Sequence, residues 1–198
     1  RIIAYHEAGH ALVQSKLEHC DPVHKVSVIS RGMMAGYTMT LPEDDRRLYS
    51  KRKFEDELAG LLGGYVSEQI ALGDVTTGAS SDLQRATKIA RAMVTQYGMS
   101  KTLGQRTFGK KQELIFLGRE ISEQRDYSEE VASQIDGEIK DLMDRAESRS
   151  RNVLETYRDK LDEIANALIE RETLDGDELE AIIEAEEELA ETKEVVQV

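Results

Sequence analysis

The chain has 198 residues, of which 39% are hydrophobic and 33% charged, so it is long enough for one domain with a sizeable core and is neither fibrous nor collagen-like. The charged fraction lies above the globular average and the hydrophobic fraction below it, which favours long, solvated helices. The net charge is −13 and no basic stripe is interleaved with aromatic residues, which argues against a nucleic-acid partner.

A single cysteine, Cys20, excludes a disulfide within the chain and favours a reducing setting. No run approaches the roughly 18 apolar residues of a membrane span, and Arg1 leads directly into the first motif without a signal peptide. We therefore expect any membrane anchor to lie outside these 198 residues and the fragment itself to be soluble.

The chain is predicted to begin with a helix and a hairpin. Residues 1–19 carry apolar side chains at helical spacing, and Asp21–Pro22 ends this helix. Two extended runs, Val23–Ser30 and Gly36–Leu41, flank a turn signal at Arg31–Gly32. A small β element is therefore expected directly after the first helix.

Two further helices are predicted in the middle of the chain. From Ser50 the apolar residues recur every three or four positions, and Gly63–Gly64 inside this helix costs about 1 kcal/mol per glycine, which indicates close packing against a neighbour. A loop rich in Thr, Gly and Ser runs from residue 74 to residue 81. The next helix covers Leu83–Tyr97, and Ser80 or Ser81 is its expected N-cap.

The last third is predicted to be helical as well. Apolar residues from Ser128 onward step by three, four or seven, as in one long helix or two joined ones. These helices either form contacts between subunits or simply pack within one chain. The ETLDGDEL stretch opens a short terminal helix. The final 26 residues carry −9 of the net charge, which indicates a solvated helix that runs into a frayed tail.

His6, Glu7 and His10 form an H-E-x-x-H pattern on the first predicted helix. Positions four apart lie one above the other on a helix, so the two imidazoles can bind one zinc ion. Glu7 borders the metal without ligating it, where a general base for a zinc-bound water is needed. The alternative is an ordinary amphipathic helix whose histidines face water.

A catalytic zinc site requires a third protein ligand and an open fourth position. The extended motif with a third histidine fails, because Val13 and Lys16 occupy the places of its Gly and His. Two carboxylates remain candidates. Glu68 lies on the helix after Gly63–Gly64, and Asp82 is expected in the first turn of the next helix, where it could equally be a capping residue.

Six blocks spread along the chain resemble one known family. In chain order they are HEAGHALV, DPVHKVSVISRG, GGYVSEQI, TTGASSDLQRAT, ARAMVTQYGMS and FLGRE. They are similar to the C-terminal peptidase domain of the membrane-anchored, ATP-dependent zinc proteases of the FtsH type, which are AAA proteases. The likeness runs from Arg1 to about Ile183.

The resemblance implies how the candidate residues are used. It makes His6, His10 and Asp82 the ligands of one Zn²⁺ per chain and Glu7 the catalytic base. Glu68 then becomes a carboxylate near the site that orients a histidine through its other ring nitrogen. Direct ligation of the metal by Glu68 remains the alternative.

The resemblance also implies a fold and a domain organisation. A mainly α zinc-peptidase domain is expected over 1–183, with a small β-hairpin or sheet near the active site and a long C-terminal helical segment. Its active-site part covers about 1–125 and its helical part about 126–183. Residues 184–198 are expected to form an acidic, disordered tail.

The partners implied by the resemblance lie largely outside this chain. Family members carry a transmembrane anchor and an AAA ATPase module, which uses ATP and Mg²⁺, before the peptidase domain, and they assemble as hexamers. The peptidase domain is then expected on the cytoplasmic side of the membrane, or on the equivalent side in an organelle interior. Its expected substrates are unfolded, misfolded or membrane proteins, whose degradation contributes to protein quality control.

The expected reaction is hydrolysis of an internal peptide bond by a zinc-bound water that Glu7 activates. An extended substrate is expected to pair with the strand that includes Gly36, Tyr37, Thr38 and Met39. This strand could equally be part of a core hairpin only. The competing hypothesis for the whole chain is an inactive assembly module whose zinc braces the fold.

Overall fold

The computed structural model describes residues 1–30, 36–41, 48–111, 123–124 and 126–185. Helices make up most of these residues, which confirms a mainly α domain with a small sheet. The helices are α1 (Ile2–Lys16), α2 (Lys51–Leu72), α3 (Ser80–Thr95), α4 (Glu129–Thr156), α5 (Arg158–Arg171) and α6 (Gly176–Glu184). The strands are β1 (Val23–Ser27), β2 (Tyr37–Thr40), β3 (Lys110–Lys111), β4 (Glu123–Gln124) and β5 (Thr173–Asp175).

Helices α1 and α2 cross where glycines let their backbones meet. A Cβ on Gly63 would lie 2.7 Å from the carbonyl oxygen of Gly9, and a Cβ on Gly9 would clash with the carbonyl oxygen of Gly63. Ser67 stabilises the same helix crossing, because its hydroxyl donates a hydrogen bond to the carbonyl oxygen of Tyr5 at 2.6 Å. The close packing predicted from Gly63–Gly64 is therefore confirmed, and it brings α2 against the histidine face of α1.

Strand β1 is the centre of a three-stranded antiparallel sheet with the order β2-β1-β5. Val26 of β1 pairs with Thr38 of β2 on one side and with Leu174 of β5 on the other. The second strand predicted for the hairpin is therefore present as β2. The third strand was not predicted, since ETLDGDEL was assigned to a helix start. In the described part of the chain β2 has no strand on its outer side.

The C-terminal helices pack on the same core as α1. The long periodic segment begins at Ser128, as predicted, where the hydroxyl caps α4, and it consists of two helices that join at Tyr157. Leu161, Ile164 and Leu168 of α5 are fully buried together with the apolar face of α1. Asp175 and Glu178 form a reciprocal capping box at the start of α6, which ends the described chain.

Two local predictions require correction. The first helix ends at Lys16, three residues earlier than expected. Neither Ser80 nor Ser81 is the N-cap of α3, because a 3₁₀ turn over Thr77–Ala79 precedes the helix and Ala79 holds the cap position without a side-chain bond.

Some predictions lie outside the described residues. These are the turn at Arg31–Gly32, the FLGRE block and residues 186–198 of the acidic tail. None of the described helices has both the length and the apolar content needed to cross a bilayer.

Candidate metal centre

Helix α1 places the two histidines of the motif one turn apart on its buried face. Their Nε2 atoms lie 3.1 Å apart. The Nδ1 atom of His10 lies 2.8 Å from the carbonyl oxygen of Gly60, and a carbonyl only accepts, so this nitrogen carries the proton. His6 donates from its Nδ1 to Glu68 Oε1 at 2.7 Å. Both Nε2 lone pairs are thereby directed at one point.

The first turn of α3 brings Asp82 to the same point. Its Oδ2 lies 3.4 Å from Nε2 of His6 and 3.5 Å from Nε2 of His10. Burial by itself would raise the pKa of the Asp82 carboxyl, but the imidazoles of His10 and His6 outweigh burial and hold this pKa well below its usual range. Asp82 is therefore an anionic oxygen beside the two Nε2 atoms.

The three facing atoms fit a zinc ion. Tetrahedral zinc with ligand bonds of roughly 2.0–2.1 Å separates its ligand atoms by about 3.3–3.4 Å, and the three distances here are 3.1, 3.4 and 3.5 Å. Two lone pairs and a carboxylate also repel each other unless a cation lies between them. In the described part of the chain, no other His, Cys, Asp or Glu trio has this geometry.

Glu7 lies on the cleft side of α1, beside β2. Its Oε2 accepts a hydrogen bond from the hydroxyl of Thr38 at 2.8 Å. Burial raises the pKa of the Glu7 carboxyl, and the effect exceeds the opposing influences of His10, Thr38 and His6. A carboxylate whose pKa is raised toward neutrality is a better base for proton transfer.

Glu68 contacts His6 on its Nδ1 side and contributes none of the three atoms that face each other. One of its oxygens binds His6 Nδ1, and the other accepts from the backbone N–H of Thr76 at 2.6 Å. With both oxygens held in this way, its carboxylate is suited to orient His6. The geometry thus favours Asp82 over Glu68 as third ligand, and the assignment stays a prediction.

A cleft of about 650 Å³ is lined by His6, Glu7, His10, Glu68 and Asp82. Gly36, Tyr37 and Thr38 of the predicted substrate strand line it. Met39 does not line the cleft, and 37% of its surface is exposed. Only three of the four residues predicted for the substrate strand therefore line the cleft.

Sequence reasoning missed Gly60 and Thr76, and it missed the contacts that Gly64 and Thr38 make in the site. Gly60 and Thr76 contribute backbone groups, which carry no sequence signal. Gly64 lies against both imidazoles, since a Cβ there would be 2.5 Å from His6 Cε1 and 2.6 Å from His10 Nε2. The hydroxyl bond of Thr38 to Glu7 was also missed, although Thr38 had been assigned to the substrate strand.

Comparisons with known proteins identify the family of the chain. The model of Peptidase family M41 matches residues 1–182. The chain is 58% identical over 181 residues to the ATP-dependent zinc metalloprotease FtsH 1 of Sphaerobacter thermophilus, with 91% of this chain and 28% of that protein covered. It is 54% identical to FtsH 1 of Thermomicrobium roseum, over 91% of this chain and 28% of that protein. Identity to FtsH of Thermotoga maritima is 49%, over 94% of this chain and 31% of that protein.

The chain thus spans less than a third of the length of these relatives. The family match covers the histidine pair, Asp82 and the helices that position them. The chain belongs to Peptidase family M41, and the relatives that it matches are named zinc metalloproteases.

Proposed function

We propose that the chain hydrolyses internal peptide bonds with one zinc ion held by His6, His10 and Asp82. The observation that carries this proposal is the convergence of two Nε2 atoms and one Oδ2 within 3.5 Å of each other. A glutamate borders the same cleft. Three protein ligands from two helices leave a fourth position open toward the cleft, as catalytic zinc sites require.

When bound, zinc supplies a Lewis acid that polarises the scissile carbonyl and makes water more acidic. The Glu7 carboxylate takes a proton from the attacking water and passes it to the leaving amine. Glu68 and the Gly60 carbonyl hold the Nδ1 protons, so that His6 and His10 present Nε2 lone pairs. Each residue thus has one task in the reaction.

The substrate is proposed to lie extended along β2. This strand is at the edge of its sheet in the described chain, and Gly36, Tyr37 and Thr38 line the cleft. Pairing through backbone hydrogen bonds accepts many sequences, which suits a protease of unfolded chains.

The properties of the longer protein are proposed from the relatives, whose names describe them as ATP-dependent. We extend this to a fused AAA ATPase, a hexamer, a membrane anchor and unfolded or membrane-protein substrates. The peptidase domain over 1–183, with parts at about 1–125 and 126–183, and the acidic tail over 184–198 belong to the same proposal.

Zinc content tests the ligand set. The wild type is expected to hold about one zinc per chain, Asp82→Ala to lose it, and Glu68→Gln to keep most of it. Asp74→Ala is the matched control, because Asp74 lies in the preceding loop and, within the described part of the chain, its side chain accepts a hydrogen bond only from the N–H of Val75. A site that Glu68→Gln empties and Asp82→Ala leaves full would refute Asp82 as a ligand.

Cleavage of unfolded casein by the Glu7→Gln variant tests whether the chain is an enzyme or an inactive assembly module whose zinc only stabilises the fold. The variant is expected to keep its zinc and to lose cleavage, since the amide has no basic carboxylate for the proton. Undiminished cleavage by this zinc-loaded variant would remove Glu7 from the mechanism.

A further inference from the structure

Thr38 connects the edge strand to Glu7. Its hydroxyl lies 2.8 Å from Oε2 of Glu7 and 3.4 Å from the Glu7 carbonyl oxygen. A carboxylate only accepts, so the hydroxyl donates its proton to Oε2. This bond joins β2 and α1 directly at the residue that we assign as the base.

Gly36 completes the contact two residues earlier on the same face of the strand. A Cβ at Gly36 would lie 2.8 Å from Oε1 of Glu7 and 2.9 Å from Cγ2 of Ile3. Only a residue without a side chain leaves room for the carboxylate at this point. The carboxylate of Glu7 is therefore packed against Gly36 through one oxygen and bonded to Thr38 through the other.

The backbone N–H of Thr38 points away from β1, toward the outer edge of the sheet. Leu41 N–H donates to Pro22 on the β1 side, and N–H directions alternate along a strand, so the N–H of Thr38 points to the outer edge. The pairing of β1 agrees, since Val28 N–H donates to Glu172 on the β5 side, and Val26, opposite Thr38, therefore also bonds toward β5.

We propose that Thr38 is a positioning residue that fixes the orientation of the Glu7 carboxylate and so links substrate docking on β2 to proton transfer. This inference rests on the proposed function. The side chain of Thr38 holds the base, while its backbone N–H and C=O point away from β1 and, within the described part of the chain, face no other strand, so that an extended peptide can pair with them at the same place along the cleft. A peptide docked at Thr38 therefore lies in register with Glu7.

The test compares zinc-loaded Thr38→Val, Thr38→Ala and Thr38→Ser in the full chain, with a fluorescence-quenched peptide as substrate. Loss of one hydrogen bond to a charged group is expected to lower kcat about tenfold to a hundredfold in Val and Ala, with KM within about twofold and zinc retained. Ser, which keeps the hydroxyl, is expected to stay within about threefold of the wild type. The Ala variant decides the question if Val does not fold.

Thr87→Val is the matched control, because Thr87 is exposed on α3 and its hydroxyl donates only locally, to the carbonyl of Leu83 at 2.7 Å. Its kcat is expected to be unchanged. The proposal is overturned if Thr38→Val keeps its kcat, if it loses zinc, or if Thr38→Ser is as impaired as Thr38→Val.

A crystal structure of zinc-loaded Thr38→Val gives a readout that does not depend on turnover. The Glu7 carboxylate is expected to leave the position that it has in the wild type, and an unchanged carboxylate overturns the inference. If the wild type cleaves no better than Glu7→Gln, the proposed function fails, and the position of the Glu7 carboxylate still decides the role of Thr38.

Discussion

At the residue scale, Gly64 determines how closely α2 approaches the two imidazoles. A Cβ at this position would lie 2.5 Å from His6 Cε1 and 2.6 Å from His10 Nε2, closer than real Cβ contacts allow. Either the rings or the helix must then move. Since the rings carry two of the three facing atoms, a single methyl group here acts directly on the metal centre.

We therefore predict that Gly64→Ala lowers zinc affinity by at least tenfold while helical content is kept. Gly137→Ala is the control, because Gly137 is an exposed residue within α4 and a Cβ there would meet no atom of the described residues within 4 Å. This control is expected to keep its zinc and to stabilise the fold by about 0.4–1 kcal/mol. Competition with a chromogenic chelator and circular dichroism measure both effects. Equal zinc affinity in the two variants would contradict the prediction.

Cys20 illustrates how burial changes reactivity at a single residue. Burial, followed by the charge of Asp56, raises the pKa of its thiol to about 12 from the ordinary 9.0. The thiolate is the nucleophile, so at pH 8 its fraction is expected to be about a thousandfold smaller than that of an ordinary thiol.

Alkylation of the native chain by iodoacetamide is therefore predicted to be slow at pH 8, to accelerate as pH rises toward 10, and to become fast in denaturant. Mass spectrometry of timed samples measures the rate. The unfolded chain is the control. Native and unfolded rates that agree at pH 8 would show that the Cys20 thiol is not protected.

At the element scale, β2 is the part of the fold whose role follows from its position. A strand at a sheet edge offers backbone groups on alternate residues only, so a peptide docked there is held by every second amide. N-methylation of one substrate amide at a time therefore probes the interaction without altering the protein.

We predict that N-methyl groups placed singly along a quenched peptide, away from the scissile bond, raise KM with a period of two residues. Positions whose N–H points away from β2 are the built-in controls and are expected to be cleaved normally. Inhibition at consecutive positions, or at none, would contradict strand pairing.

The elements also show why prediction from sequence succeeded in part. The local spacing of apolar residues identified the helix starts at Ser50 and Ser128. In the structure each of these serines caps its helix by accepting a bond from the backbone three residues later. The pair of histidines four apart on α1 is local in the same sense. Close packing at Gly63–Gly64 was expected from the cost of glycine inside a helix, whereas the identity of the neighbour, α1, came from the structure.

The remaining elements depend on distant partners. Strand β5 has only three residues, and it is a strand because Leu174 meets Val26 far away in the sequence. No local pattern encodes such a pairing. Likewise the place of Asp82 beside the histidines follows from how α3 packs, and spacing alone left Glu68 equally open.

At the scale of the whole molecule, the candidate metal centre lies between α1 and α3, with α2 behind the histidines. Zinc that binds the folded state only stabilises it by about 2.7 kcal/mol when its free concentration is a hundred times its Kd. For a domain of this size each kcal/mol moves the melting temperature by about 2–4 °C.

We predict that chelation of zinc lowers Tm by about 5–10 °C, measured by circular dichroism, and that Asp82→Ala shows little further change on chelation. A wild-type Tm that does not respond to the chelator would indicate that the ion contributes nothing to folding. A large response in Asp82→Ala would indicate that the ion binds elsewhere.

The central place of β1 has a consequence for biosynthesis. Its two neighbours are made at very different times, since Thr173, which bonds to Ser27, follows it by 146 residues. At roughly 5–20 residues per second, this is a delay of about 7 to 30 seconds. During that interval the growing chain already carries His6, Glu7 and His10, but the sheet beside them lacks β5 and Tyr5 lacks its partner Asp162. The three-stranded sheet beside the cleft can therefore be completed only after Asp175 has been synthesised, long after the histidine pair of α1.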